Sequence, residues 1–264
     1  MFTLREILEK TACSKLTVEE AEKLIRLQAI VELDDIAKID YNREYRKGIP
    51  EIILAEYKTV QDTVEIAIKT LEVNDRVIIS RCTPQHIEAL NAAVPIGAVC
   101  QVNHKAKTVS IKKEKYTVAT SGGKIGLLTA GTSDIPVAEE AKVIAEEMGC
   151  TVYTGYDIGV AGIHRLFEPL KELIIKDVDI LIVVAGREGA LPTVIASLVN
   201  IPVIAVPTSN SYGFGEKGVS TLMAMLQSCS LGIAVVNIDS GIAAGAIATL
   251  IANRVAKFRN QKRN

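Results

Sequence analysis

The five cysteines, Cys13, Cys82, Cys100, Cys150 and Cys229, are scattered through the chain without a single Cys-x-x-Cys pair. That spacing excludes a zinc knuckle, and the odd number argues against a disulfide framework. An excess of charge is also missing, with 30 Lys plus Arg against 31 Asp plus Glu and a formal net charge of -1. No long-range field therefore draws the chain to nucleic acid or an anionic membrane, and neither is expected as a partner. The basic end "RVAKFRNQKRN" reads as a solvated tail. The N-terminal "MFTLREILEK" carries charges where a secretory signal needs an apolar stretch. The apolar run Gly241 to Ala252 is too short to span a bilayer and reads as a buried core helix. These absences lead to the expectation of a cytoplasmic protein.

Apolar residues are what the chain has in quantity, at 48% of 264, enough to build the core of one large or two modest domains. The first part reads as helices. "TVEE" at Thr17 to Glu20 has capping-box spacing ahead of "AEKLIRLQAI", and "KTVQDTVEIAIKTLE" repeats apolar residues at three- and four-residue intervals. "DRVIISRC" then reads as a strand, "TPQHIEALNAAV" as a helix and "GAVCQVNHKAKTVSIKK" as a hairpin. The polar "KYTVATSGGK" reads as a linker. The boundary is accordingly drawn between a mixed α+β N-terminal domain, 1–122, and a second domain, 123–264.

From Lys124 the chain alternates strands with helices five times, and several of the strands are nearly continuous runs of Ile, Val, Leu and Ala. Such near-continuous apolar strands require cover on both faces, which predicts an α/β fold with a parallel three-layer sheet. In that architecture ligands sit at the carboxyl ends of the strands. The segments after the five strands are "AGTSD", "GYDIGVAGIHR", "AGREGALP", "PTSNSYGFGEKG" and "IDSGIAAG".

Each segment has a bland reading beside a functional one. Thr132, Ser133 and Asp134 are either helix caps or donors and a carboxylate around an anion. The segment lacks the lysine of a nucleotide P-loop, which argues against an ATPase. His164 and Arg165 are either a surface pair or a phosphate or carboxylate contact. Glu188, between glycines, is either a solvated charge or a general acid/base. The long loop around Tyr212 and Phe214 is either a lid with a stacking surface or a packing segment. Cys229 is either a small space-filling residue or a nucleophile; its place near a helix C-terminus disfavours the thiolate.

Taken together, "AGTSD", "GVAGIHR", "AGREGALP", "VPTSNSYG" and "AMLQSC...GIAVVNIDSG" resemble the LarB family, which opens nickel-pincer nucleotide biosynthesis. "YNREYRKGIPEIILAEYKT" and "SRCTP" are similar to that family's N-terminal domain. Its C-terminal half is in turn similar to the PurE carboxylase/mutase, a flavodoxin-like sheet that typically assembles into octamers. The PurE-type "SD" and "HR" signatures have counterparts in Ser133-Asp134 and His164-Arg165. The histidine that precedes "LP" in PurE is replaced by Ala190, which argues against mutase chemistry on a purine precursor.

The resemblance implies carboxylation of the pyridinium ring of nicotinic acid adenine dinucleotide by CO2 or bicarbonate, with cleavage of its phosphoanhydride. Pyridinium-3,5-biscarboxylic acid mononucleotide and AMP would be the products. Cys229 is the implied nucleophile, with Glu188 and Asp134 as base or water-orienting groups. Thr132, Ser133, His164, Arg165, Gly186, Ser209 and Tyr212 are implied around the substrate, with Arg43, Arg46 and Lys58 at its mouth. No tightly bound cofactor and no dedicated metal cage are expected, although Mg²⁺ suits the phosphoanhydride step. A homo-oligomer is implied. Two alternatives stand beside this: a PurE-like aminoimidazole ribonucleotide carboxylase or mutase, and a non-catalytic nucleotide-binding sensor.

Overall fold

The computed structural model describes residues 4–27, 31–33, 37–39 and 43–261, which fall into two compact units. One comprises 1–102 and 109–116; the other comprises 103–108 and 117–264.

In the first unit, helices α1 (Leu4–Ala12) and α2 (Val18–Leu27) precede a two-stranded antiparallel ladder of β1 (Val31–Leu33) and β2 (Ala37–Ile39). The predicted capping box is present, with Thr17 N donating to Glu20 Oε2 at 2.8 Å and Glu20 N to Thr17 Oγ1 at 3.1 Å. After a short helix α3 (Arg43–Lys47) come β3 (Ile52–Leu54), α4 (Val60–Val73), β4 (Arg76–Ser80), α5 (Pro84–Ala92), β5 (Ala98–Asn103) and β6 (Thr108–Lys113). The four strands form one sheet in the order β3-β4-β6-β5, in which β3 and β4 are parallel and β6 is antiparallel to β4. Ile66, Ala67 and Leu71 of α4 join Val77, Ile79, Val109 and Ile111 of the sheet in one core. Thr59 and Thr83 cap α4 and α5 through their hydroxyls, each satisfying an amide that the helix leaves open.

The second unit is the α/β fold expected. Its elements run β7 (Lys124–Thr129), α6 (Ile135–Glu147), β8 (Thr151–Gly155), α7 (His164–Ile175), β9 (Ile180–Ala185), α8 (Ala190–Ala196), β10 (Val203–Pro207), α9 (Val219–Leu226), β11 (Ile233–Val235) and α10 (Gly241–Gln261). All five strands are parallel, in the order β11-β10-β9-β7-β8. The alternation of side chains explains the three layers. Ile125, Leu127, Ile182, Val184, Ile204 and Val206 face a core with α6 and α10. Leu128, Leu181, Val183, Ala185, Val203 and Ala205 face a second core with α7, α8 and α9. In β7, β9 and β10 both faces are covered, so these strands need no polar side and read as near-continuous apolar runs; the edge strands β8 and β11 are only partly buried.

Two expectations change at α10. The apolar run Gly241 to Ala252 is part of a 21-residue helix, long and apolar enough to cross a bilayer by length and composition. One face of it, with Gly241, Ala244, Gly245, Ala248, Ala252 and Ala256, is instead buried, much of it against α6 and the sheet. The basic end is not simply a solvated tail: helix persists to Gln261, and Arg259 pairs with the buried Asp179. A guanidinium near a helix C-terminus also meets the negative end of the helix dipole.

Candidate functional site

Strands β7 and β9 are neighbours, and the chain leaves β7 toward β8 on one side and β9 toward β10 on the other. That is the switch point at which open α/β sheets form a crevice at the carboxyl ends. Main-chain bonds stitch the strand-end loops together: Ala130 N to Val184 O at 2.9 Å, Thr208 N to Ala185 O at 3.1 Å, Ile158 N to Thr129 O at 3.0 Å and Asp239 N to Pro207 O at 2.9 Å.

Asp134 sits at the centre of this stitching. It ends a short 3₁₀ turn, Thr132–Asp134, and is 4% exposed. Its Oδ2 accepts from Gly131 N at 2.9 Å, and its Oδ1 accepts from the buried Thr208 hydroxyl at 2.7 Å. A carboxylate this far from water requires such donors, because burying it unpaired costs far more than burying a neutral polar group. The Gly131 amide is therefore occupied within the turn and is not open to a ligand, whereas Thr132 and Ser133 are exposed. Asn210 Nδ2 donates to Ser133 O at 2.6 Å and Ser209 N to Asp239 Oδ1 at 2.9 Å.

Gly186 explains how the next loop comes so close. A Cβ there would lie 2.7 Å from Thr208 Oγ1, 3.2 Å from Asn210 O and 3.5 Å from Asp134 Oδ1. Only a glycine lets the β9 exit pass the Asp134–Thr208 pair. Arg187 follows in a left-handed conformation, φ 54°, and its carbonyl accepts from Thr221 Oγ1. Its guanidinium stacks over the Tyr212 ring, 4.2 Å from the centroid. Glu188 is exposed.

His164 and Arg165 open α7, and both are exposed. Arg165 Nη1 pairs with Asp157 Oδ2 at 2.9 Å. Asp157, itself left-handed at φ 58°, donates its amide to Thr129 Oγ1 at 3.1 Å. Gly162 leaves room for the Arg165 side chain, whose Nε would be 2.9 Å from a Cβ there.

Cys229 stands apart from this cluster in the connection from α9 to β11. It is exposed, so it does not fill space in the core. Its neighbours are anchored on α8, with Ser228 Oγ 2.8 Å from Thr193 Oγ1 and Ser230 Oγ donating to Thr193 O at 2.9 Å. Val203 N donates to Gly232 O at 2.9 Å, so the chain enters β11 from the amino edge. The fold thus gathers Asp134, Gly186, Ser209 and the Glu188 loop at the carboxyl edge and puts Cys229 in another connection.

Arg43 and Lys58 belong to the first unit. Arg43 is paired with Glu51 at 2.9 Å, and Lys58 Nζ donates to Leu54 O at 2.9 Å. The side chain of Arg46 lies outside the described residues. A cavity of about 650 Å³ in the first unit has Ile68, Leu71, Pro95, Ile96 and Tyr116 among its walls, and no residue of the five strand-end motifs lines it. Among the described residues no three His, Cys, Asp or Glu side chains are grouped closely enough to hold a metal ion.

Thr208, Asp157, Asp239 and Arg187 were not singled out from the sequence. The available signal was position alone, since each follows closely on the end of a strand.

Residues 124–263 match the family described as AIR carboxylase, and residues 30–114 match that described as LarB/PurE-like N-terminal domain. An uncharacterized protein of Methanocaldococcus jannaschii is 46% identical over 258 residues, covering 96% of this chain and 98% of that one. Two N5-carboxyaminoimidazole ribonucleotide mutases match about half of the chain. That of Pyrococcus horikoshii is 32% identical over 54% of this chain and 76% of its own length. That of Thermotoga maritima is 30% identical over 48% and 74%. With both family domains present in that order, the chain belongs to the LarB family, a carboxylase-type family whose C-terminal half is PurE-like.

Proposed function

We propose that this protein carboxylates the pyridinium ring of nicotinic acid adenine dinucleotide and hydrolyses its phosphoanhydride. The observation that carries the reading is the LarB-type N-terminal domain joined to an AIR carboxylase domain in one chain. Ala190 supports it too, standing where PurE-type mutases place a histidine.

A pyridinium carbon is electron-poor and cannot attack CO2, so the chemistry needs a reversible nucleophile. The Cys229 thiolate, which lies away from the carboxyl-edge cluster of its own copy and is supplied to it by a second copy in the proposed homo-oligomer, adds to ring carbon 4, and the ring becomes a dihydropyridine whose carbon 5 is enamine-like. Carbon 5 forms a bond to CO2 and then gives its proton to a base. The thiolate leaves from carbon 4 and the aromatic cation is restored. Water attacking the phosphoanhydride releases AMP, leaving pyridinium-3,5-biscarboxylic acid mononucleotide. The sum consumes one CO2 and one water.

Glu188 is assigned as the base or water-orienting group and Asp134 as the residue that positions the loops. This division is supported by the exposure of Glu188 and by the two donors that occupy the buried Asp134 carboxylate. Thr132, Ser133, His164, Arg165, Gly186, Ser209 and Tyr212 surround the substrate. Mg²⁺ in this reaction travels on the substrate's phosphates. The protein acts as a homo-oligomer, an octamer by its PurE-like half, and the product enters nickel-pincer nucleotide biosynthesis.

Purified protein incubated with nicotinic acid adenine dinucleotide, bicarbonate and Mg²⁺ should yield AMP and a mononucleotide heavier by one carboxylate, read by mass spectrometry. Cys229→Ala should keep dinucleotide binding and lose carboxylation. Normal turnover by that variant would sink the covalent step. Turnover of aminoimidazole ribonucleotide in place of the dinucleotide would return the chain to the chemistry named for its mutase relatives. Binding without any turnover would make it a sensor.

A further inference from the structure

We propose that Arg187, carried on the ring of Tyr212, is the subsite for the phosphate of the substrate's adenylate half. This inference rests on the dinucleotide reading above. It starts from a difference between two arginines at the carboxyl edge. Arg165, which the "HR" motif points to as an anion contact, is already neutralised by Asp157 at 2.9 Å. Arg187 has no carboxylate partner among the described residues; what its guanidinium touches is the uncharged Tyr212 ring.

An arginine in that state has spare binding capacity. Stacking on an aromatic face orients the guanidinium plane without consuming its N–H donors, which remain available in a fork that matches phosphate oxygens. Positioning begins in the backbone. Arg187 holds a left-handed φ of 54°, where a side chain other than glycine is disfavoured, and its carbonyl is tied to Thr221 Oγ1. The preceding Gly186 abuts Asp134 and Thr208, which makes Arg187 continuous with the strand-end cluster. Tyr212 is 75% exposed, so the pair faces solvent.

The choice of the adenylate phosphate follows from the chemistry of the substrates. The "SD" and "HR" motifs are the part of the site shared with enzymes named for a ribonucleotide substrate, which is a mononucleotide. A dinucleotide brings a second phosphate, and Arg187 lies outside both motifs. Tyr212 is a positioning residue that acts through Arg187.

The test is calorimetric titration of the full-length protein with AMP and, separately, with nicotinic acid mononucleotide. Arg187→Gln should weaken AMP roughly 10- to 100-fold, the span of a charge-assisted hydrogen bond, with nicotinic acid mononucleotide changed less than about 2-fold. Arg187→Gly, which suits the left-handed backbone, should reproduce the loss and guards against a folding defect. Tyr212→Ala should weaken AMP by roughly 2- to 5-fold, with Tyr212→Phe recovering most of that. Equal losses for both ligands, or no loss for AMP, would overturn the proposal, as would a wild-type protein that does not bind AMP. Binding is read without turnover. A wild type that binds AMP through Arg187 but does not carboxylate the dinucleotide would therefore defeat the functional reading and leave this one standing.

Discussion

Thr208 Oγ1 is the side-chain donor to Asp134 Oδ1, and its removal isolates one oxygen of a buried carboxylate. Thr208→Val keeps the shape and deletes the donor, so the unfolding free energy should fall by about 1 to 3 kcal/mol. An unchanged denaturant midpoint would mean that the bond contributes nothing. A second buried carboxylate supplies a pH test. Glu139 accepts from Tyr156 at 2.8 Å and from Asn103 at 2.7 Å. Burial pushes Glu139 up, but those hydrogen bonds and the charges of Lys142 and Lys105 outweigh it and hold the carboxyl below its ordinary range. Tyr156 moves the other way: burial first, then its bond to Glu139 and that group's charge, raise the phenol above its usual value. A raised phenol stabilises the fold fully below about pH 10, the unfolded value, and loses that contribution as pH rises toward the folded one. The stability gap between the protein and Tyr156→Phe should therefore shrink above that pH. A gap that widens there would reverse the assignment.

At the scale of elements, the tightest fit is α10 on α6. A Cβ on Gly245 would lie 2.6 Å from Ala141 O and 3.1 Å from Ala141 Cα, atoms of a helix backbone that cannot swing aside. Gly245→Ala gains helix propensity of about 1 kcal/mol, while overpacking costs about 1 to 3 kcal/mol. The second effect wins where the obstacle is backbone, so chemical denaturation should show a net loss of about 1 kcal/mol. A stabilised variant would show that the helices part easily. The same elements show what could be read in advance. The strands β7, β9 and β10 were legible because cover on both faces forces near-continuous apolar runs; β8, at the sheet's edge, was legible from its place in the strand–helix alternation. β11 is shorter than "GIAVVNID" suggested, with three residues at the sheet's edge, where one neighbour supplies all its pairing.

Across the whole molecule, the proposed homo-oligomer has a direct measurement. Light scattering should return a multiple of the 28.4 kDa chain, eight copies being the number the PurE-like half implies. A mass of one chain would overturn it. Met223, Leu226 and Leu231, on α9 and in the connection after it, are 56%, 65% and 92% exposed, an apolar exposure of the kind that marks contact surfaces.

The order of strands and helices, and with it which loops lie at the carboxyl ends, was determined by the sequence alone, because periodicity and both-face burial are written locally. That rule picked out the segments that carry Asp134, Gly186 and Ser209, and the resemblance named Gly186 and Ser209 within them. The tertiary structure decided which residues answer them. Thr208 meets Asp134 across 74 positions, and Arg187 meets Tyr212 only because β9 and β10 are neighbours. The motif named Arg165 without its partner, and the left-handed turn at Asp157 supplies it with a counter-ion. Such pairings follow from strand adjacency and loop direction, which arise only when the sheet is assembled.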